Sequence, residues 1–162
     1  MNIRLKKEYL YYLNYKIKCA IGKNGTTKNK KEGDLKTPSG VFKLKKIFYR
    51  KDRIKFIKTS LKKNYIKKSI GWCDDSTSKY YNREIKFPFN DSAEKLWRKD
   101  NIYDLIIVLN YNLRPIIKNK GSAIFLHICK KNYAPTKGCI AISKKDMMNL
   151  ITHIKNSTKI VI

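Results

Sequence analysis

The sequence is poor in acidic residues, arginine and histidine. Among its 162 residues, 12 are Asp or Glu and 38 are Lys or Arg, which gives a formal net charge of +26. Only six of the basic residues are arginine, and Lys, Ile and Asn dominate the composition, as is typical of AT-rich coding sequences. Sites that read nucleic-acid bases favour the arginine fork. We therefore predict no nucleic-acid partner, although a basic face that meets an anionic polymer or membrane stays open.

Closely spaced cysteine pairs are also missing. The four cysteines are Cys19, Cys73, Cys129 and Cys139, and none forms the C-x-x-C pair of a zinc ribbon. A chain of this length can bury a core without disulfide bonds. We therefore predict free thiols, one of them reactive, and no metal site.

Long hydrophobic runs are absent as well. No segment approaches the roughly 20 apolar residues of a membrane-spanning helix. The N-terminal stretch "MNIRLKKEYLYYLNYKIKCAIG" is broken by Lys and Asn throughout and lacks the apolar run of a signal peptide. We expect no transmembrane segment and no export signal in these residues. With 42% hydrophobic residues and no low-complexity tract, residues 1–162 are predicted to form a single domain.

Strand patterns are the commonest periodic signal in what remains. Apolar alternation and β-branched residues predict strands, and less clearly a strand pair at 54–70. The clearer strands lie within 9–21, 41–50, 103–111, 122–129 and 158–162. Ser92 caps a predicted short helix at 92–98, and Ser143 with Asp146 resembles a capping box for a helix ending near Lys155. Two stretches, 23–40 and 71–92, read as long loops. The predicted fold is mainly β (α+β).

His127 and Cys139 are the residue pair most suggestive of chemistry. The strand pattern places Phe125, His127 and Cys129 on one face, and Gly138 then turns the chain into Cys139. An adjacent imidazolium lowers the pKa of a thiol, and Lys137 adds positive charge. The same residues are also compatible with a metal site or with packing in a core. Spacing alone does not decide among these readings.

Five blocks of the sequence resemble the L,D-transpeptidase catalytic domain (YkuD-like) family. They are "CAIGKNGTTKNKKEGDLKTPSGVFKL" (19–44), "GWCDD" (71–75), "YNREIKFP" (81–88), "EKLWRKDNIYDLIIVLNYN" (94–112) and "GSAIFLHICKKNYAPTKGCIAIS" (121–143). The resemblance implies a β-rich domain and a cysteine acyl-enzyme that needs no cofactor. It also implies a partner, the tetrapeptide stem of peptidoglycan, cut before its terminal D-alanine.

Carried over by position, the resemblance makes Cys139 the nucleophile, His127 the base and Gly138 the glycine before the nucleophile. Thr136 takes the place of the motif's hydroxyl residue. This chain departs from the family motif at Lys137, where a histidine is usual, at Ala141, where an asparagine is usual, and at Ile128, where a serine is frequent. The change at Ile128 is harmless if a backbone carbonyl orients His127.

Residues in the matched blocks are the candidates for substrate binding. They are Trp72, Asp74, Tyr81, Asn82, Arg83, Thr136 and Lys137. Arg83 suits a stem carboxylate because a guanidinium binds it with two parallel hydrogen bonds. The competing reading makes Trp72 and Tyr81 packing residues and Arg83 a surface ion-pair partner.

Three functions remain open at this point. An L,D-transpeptidase transfers the acyl group to an amine, and an L,D-carboxypeptidase transfers it to water. A basic module that binds a polyanion without catalysis is the remote third reading. The family implies work in the periplasm or cell envelope, whereas a cytoplasmic recycling enzyme is compatible with the lack of a visible signal peptide. The sequence does not indicate an oligomeric state.

Overall fold

Short strands make up most of the ordered backbone in the computed structural model, which describes residues 1–162. The fourteen strands are β1 (Ile3–Lys6), β2 (Tyr9–Tyr12), β3 (Tyr15–Ala20), β4 (Thr26–Thr27), β5 (Thr37–Pro38), β6 (Val41–Tyr49), β7 (Lys63–Tyr65), β8 (Ile70–Cys73), β9 (Glu84–Lys86), β10 (Ala93–Lys95), β11 (Leu105–Leu109), β12 (Phe125–Ile128), β13 (Ile140–Ile142) and β14 (Lys159–Val161). One α-helix, α1 (Lys144–His153), lies between β13 and β14. The predicted mainly β fold is confirmed.

Eight of the strands form a closed, barrel-like ring. The hydrogen-bonded order is β11-β12-β13-β3-β2-β1-β14-β6, and β6 pairs again with β11, which closes the ring. β7 adds to β6 in parallel. A small sheet in the order β10-β8-β9 and the two-stranded pair of β4 with β5 complete the pairing. Closure leaves the strands of the ring with few unpaired backbone groups.

The strands that carry the site are buried on both faces. Along β11, Leu105, Ile107 and Leu109 belong to the larger apolar core, which lies inside the ring and includes residues of α1. Ile106 and Val108 point the other way, into a second cluster. In β12, Leu126 and Ile128 belong to the larger core and Phe125 to the second cluster, which confirms the predicted separation of the two faces. Double-sided burial explains why these strands read as continuous apolar runs.

The second cluster lies beneath the small sheet. The sequence predictions for the segments that form this sheet were wrong. The predicted helix at 92–98 is absent because Ala93–Lys95 forms β10, antiparallel to β8. Ser92 does not cap a helix, since its hydroxyl donates to Asp74 Oδ1 (2.7 Å). β8 supplies the backbone partners that a helix would have supplied within the segment. The predicted loop at 71–92 likewise contains part of β8 and all of β9.

Helix α1 agrees with its sequence signal. The Ser143 hydroxyl accepts from the Asp146 N–H (3.0 Å) at the first turn, as expected of an N-cap. Met147, Leu150 and Ile151 are its buried residues. The region 54–70 holds only β7 and the first residue of β8, so the predicted strand pair is wrong there. No helix of the structure has the length and apolar character required to cross a membrane.

Candidate active site

Strand pairing brings His127 and Cys139 to one side of the ring. β12 and β13 run parallel, with His127 beside Ala141 and Leu126 beside Ile140. Cys139 precedes β13 and lies beside Phe125, whose N–H donates to the Cys139 Sγ (3.3 Å). Adjacent strands lie about 4.8 Å apart and each residue rises about 3.3 Å, so the two Cα atoms are roughly 8 Å apart. Side chains on a shared face can meet across that distance.

Gly138 forms the turn that presents Cys139. Its φ of +139° is a conformation that residues with a side chain rarely adopt, and a Cβ there would lie 2.9 Å from the Lys36 carbonyl oxygen. Thr136 braces the same turn, because its hydroxyl donates to the Cys139 carbonyl (2.6 Å) and accepts from the Gly138 N–H (3.1 Å). Both residues shape the loop around the thiol.

The Cys139 thiol is held by two backbone groups. It donates to the Ala123 carbonyl oxygen (3.1 Å) and accepts from the Phe125 N–H. Burial, followed by the nearby Glu94 carboxylate, raises the pKa of Cys139 to about 12. The resting group is therefore a neutral thiol, contrary to the lowered pKa expected from the sequence.

His127 is neutral as well. It is 6% exposed, and burial lowers its pKa to about 4. Its Nδ1 lies 2.9 Å from the Ile128 carbonyl oxygen, so Nδ1 carries the proton and Nε2 keeps a free lone pair. The backbone carbonyl of Ile128 orients the ring, which is the condition under which the replacement of serine was expected to be harmless. Tyr103 packs edge-on against the imidazole, with ring centroids 5.3 Å apart.

A cavity of about 460 Å³ adjoins both side chains. Its lining carries both signs of charge. The acidic members are Glu32, Asp74 and Glu94, and the basic members are Lys30, Arg98, Lys130 and Lys137. Of the predicted substrate-binding residues, Asp74, Thr136 and Lys137 lie here. Such a lining suits a ligand that has both ammonium and carboxylate groups.

The other predicted substrate-binding residues do not lie in this cavity. Trp72 and Tyr81 are 3% and 2% exposed, which agrees with the packing reading. Asn82 is also buried, at 1%. Arg83 lines a separate groove of about 920 Å³ together with other basic residues, and none of the ion pairs includes it. That groove also contains Lys45, Lys46, Lys62 and Arg114.

Several residues of the cavity were missed in the sequence. Glu94 accepts from the Tyr103 hydroxyl (2.7 Å), and burial raises the pKa of its carboxyl. Lys30 is 4% exposed and pairs with Asp34. Glu94 and Tyr103 stand in a block that resembles the family, so the block was a usable signal. Lys30 also lies in such a block, 19–44, but nothing in the sequence distinguishes it from the lysines beside it.

The remaining cysteines do not join the site. Cys19 and Cys73 are buried, and Cys129 is partly buried. No group of three or more His, Cys, Asp or Glu side chains is arranged to hold a metal ion. The alternative of a metal site at His127, Cys129 and Cys139 therefore has no geometric support.

Comparison with known proteins gives one match. A family model described as YkuD, L,D-transpeptidase catalytic domain, matches residues 3–162. Comparison with curated proteins and comparison with solved structures find no match. The matched range includes every strand, the helix and the whole cavity around Cys139 and His127. The chain belongs to the L,D-transpeptidase catalytic domain family, whose members are enzymes that act on peptidoglycan.

Proposed function

We propose that this protein is a cysteine-dependent L,D-transpeptidase that cuts tetrapeptide stems of peptidoglycan through a thioester at Cys139. The observation that carries the proposal is the placement of the Cys139 thiol and the His127 ring on one cavity, within a chain of this family. The substrate acyl group is that of the diamino acid, and the group released is terminal D-alanine.

The proton moves from Cys139 to His127 in the acylation step. Because both groups rest in their neutral forms, the S–H turns from the Ala123 carbonyl towards Nε2 and gives up its proton there as the sulfur attacks the carbonyl carbon. The sulfur–carbon bond forms, and the amide bond to D-alanine breaks when the imidazolium returns the proton to the leaving amine. An amine acceptor then attacks the thioester: the carbon–nitrogen bond forms, the carbon–sulfur bond breaks, and the proton that His127 takes from the amine returns to the Cys139 sulfur.

The backbone around Gly138 supplies a donor for the developing oxyanion. The Gly138 N–H is already bonded to the Thr136 hydroxyl, so it supports the turn. The Cys139 N–H makes no hydrogen bond within the protein. We assign the oxyanion role to the Cys139 N–H, because a free backbone donor beside the attacked carbon stabilises a tetrahedral intermediate.

The cavity charges fit a stem peptide. Arg98 and Lys137 can meet the carboxylates of the stem, whereas Asp74 and Glu94 can meet its amino group. Lys30 is buried in its pair with Asp34 and supports the wall of the cavity. No cofactor enters the scheme, because acyl transfer through a thiol requires none.

The test is turnover of a disaccharide-tetrapeptide in the presence of a D-amino acid, read by mass spectrometry. We expect exchange of the terminal residue by the wild-type protein and none by Cys139→Ala. Cys129→Ala is the matched control, because it removes another partly buried thiol outside the cavity. Equal conversion by the wild type and Cys139→Ala would contradict the proposed nucleophile.

The product distinguishes the acceptors. Tripeptide alone, with no exchange or cross-linked dimer, identifies water as the acceptor and makes the protein an L,D-carboxypeptidase suited to cytoplasmic recycling. Exchange or cross-linking favours a place of action in the periplasm or cell envelope. Absence of turnover together with salt-sensitive polyanion binding that survives Cys139→Ala would support the basic binding module instead.

A further inference from the structure

One backbone unit links a buried asparagine to the Cys139 thiol. The Ala123 N–H donates to Asn82 Oδ1 (3.0 Å), and the Ala123 carbonyl accepts from the thiol (3.1 Å). Asn82 is 1% exposed and Ala123 is 8% exposed, so solvent has little access to replace these bonds. The residue whose carbonyl accepts the hydrogen bond from the thiol is thus held at its N–H by Asn82.

The Asn82 amide is itself fixed in orientation. Trp72 Nε1–H donates to the same Oδ1 (2.9 Å), and Asn82 Nδ2 donates to the Asn112 carbonyl (2.7 Å). Its backbone N–H donates to the Cys73 carbonyl (2.9 Å) at the end of β8. An amide oxygen accepts and an amide nitrogen donates. Only this orientation of the side chain therefore satisfies the Ala123 N–H, the Trp72 Nε1–H and the Asn112 carbonyl together.

Ala123 needs such a restraint. Its φ is +50°, a left-handed conformation that is unfavourable for alanine and persists only where surrounding contacts enforce it. Two residues later, the Phe125 N–H donates to Sγ. Residues 123–125 therefore hold the sulfur between a carbonyl and an N–H, and Asn82 fixes the strained end of that segment.

We propose that Asn82 is a positioning residue for the nucleophile: it holds Ala123 so that the Ala123 carbonyl binds the Cys139 proton and fixes the direction of the sulfur. The inference rests on the proposed catalytic role of Cys139. Asn82 is not among the residues that line the cavity and acts on it through Ala123, which does line it, in contrast to the substrate-binding role predicted from the sequence.

Loss of Asn82 changes thiol reactivity and turnover in opposite directions. A hydrogen bond from the thiol to a carbonyl favours the protonated form, so its loss lowers the pKa of Cys139. We expect the pH midpoint of Cys139 alkylation by iodoacetamide to fall by about 1 unit, the worth of one hydrogen bond. Turnover falls about tenfold or more in kcat with little change in KM, because the sulfur is misplaced.

Three variants isolate the effect. Asn82→Gly removes the side chain without backbone strain, since glycine tolerates the φ of +55° found there. Asn82→Asp keeps an oxygen that accepts from the Ala123 N–H in either protonation state, so the pH midpoint of Cys139 alkylation does not fall in this variant. Asn119→Gly is the matched control: this asparagine has a φ of +63°, is exposed and makes no side-chain hydrogen bond.

The readout is peptide-resolved mass spectrometry of alkylated Cys139 against pH, with kcat and KM measured on the tetrapeptide. A shifted profile in Asn82→Gly alone supports the inference. An unchanged profile, with turnover reduced only in proportion to lost stability, overturns it.

Two further outcomes are kept separate. An inactive wild type would overturn the proposed function, while the alkylation profile still tests whether Asn82 controls the thiol. If Asn82→Gly does not fold, hydrogen exchange of the wild type decides: the Ala123 amide must exchange as slowly as the amides of β12. Rapid exchange at Ala123 would overturn the inference.

Discussion

At the scale of residues, burial sets the chemistry of the site. His127 and Cys139 both lie in a poorly solvated region, where each charged form is disfavoured. A thiolate–imidazolium pair is therefore not the resting state. The resting pair is neutral, so under the proposed function its ionisation accompanies attack on the substrate.

The buried histidine makes stability depend on pH. Burial holds the folded-state pKa of His127 near 4, against an ordinary value of 6.5. As pH falls, the unfolded chain binds the proton first. The stability that comes from burying a neutral His127 is therefore fully present above pH 6.5 and is lost between pH 6.5 and 4. When the pH is lowered from 7.5 to 5, we expect the free energy of unfolding of the wild type to fall by about 2 kcal/mol more than that of His127→Gln.

Urea denaturation at the two pH values measures this difference. His153→Gln, which replaces the exposed histidine at the end of α1, is the control and should follow the wild type. Parallel pH profiles of the wild type and His127→Gln would show that His127 titrates normally in the folded state.

At the scale of elements, turns and pairing partners decide where the side chains lie. The turn at Gly138 joins the 129–137 loop to β13 and places Cys139 beside Phe125. The geometry of the turn depends on the positive φ of Gly138, which glycine adopts readily and other residues rarely adopt. The conformation of this turn therefore affects both local stability and the position of Cys139.

Replacement of Gly138 tests the turn. Gly138→Ala places a Cβ 2.9 Å from the Lys36 carbonyl at a φ of +139°, whereas Gly25→Ala meets nothing within 4 Å at a φ of +78°. We expect Gly25→Ala to cost about 1–2 kcal/mol from its backbone alone. Gly138→Ala should cost at least about 1 kcal/mol more and also reduce turnover. Equal losses of unfolding free energy in urea would contradict the steric argument.

Much of the element structure was predictable, and the errors share one cause. The patterns at 41–50, 103–111 and 122–129 correspond to β6, β11 and β12, and the capped helix to α1. These elements can be recognised from their own residues. The strands are apolar because both of their faces are buried, and the helix begins at a capping residue. Residues 93–95 looked helical because Ser92 resembles a cap. They form a strand because β8 offers backbone partners from 20 residues away, which no local pattern reveals.

At the scale of the whole molecule, the net charge of +26 is the dominant electrostatic fact. The six ion pairs within the structure involve six basic side chains, so 32 of the 38 Lys and Arg side chains have no acidic partner. Most lysines are solvent-exposed, and dissolved salt weakens the repulsion between their charges. Self-repulsion of this kind destabilises the compact state.

Stability should therefore rise with ionic strength. Between 20 and 300 mM NaCl we expect the free energy of unfolding to increase by about 1 kcal/mol and Tm by about 3 °C. Differential scanning calorimetry measures the change, and sodium gluconate, whose anion replaces chloride, separates screening from specific binding of chloride. A constant or falling Tm would show that the ion pairs outweigh the net repulsion.

The sequence by itself determined the mainly β fold, the family resemblance and the candidate pair of His127 and Cys139. These depend on local pattern and on motif order, which the chain carries without folding. Only the tertiary structure decided the neutral state of that pair, the cavity formed by Glu94 and Lys30, and the burial of Asn82 behind Ala123. Each of these depends on desolvation and contacts between distant segments, which are created when the ring of strands closes around its core.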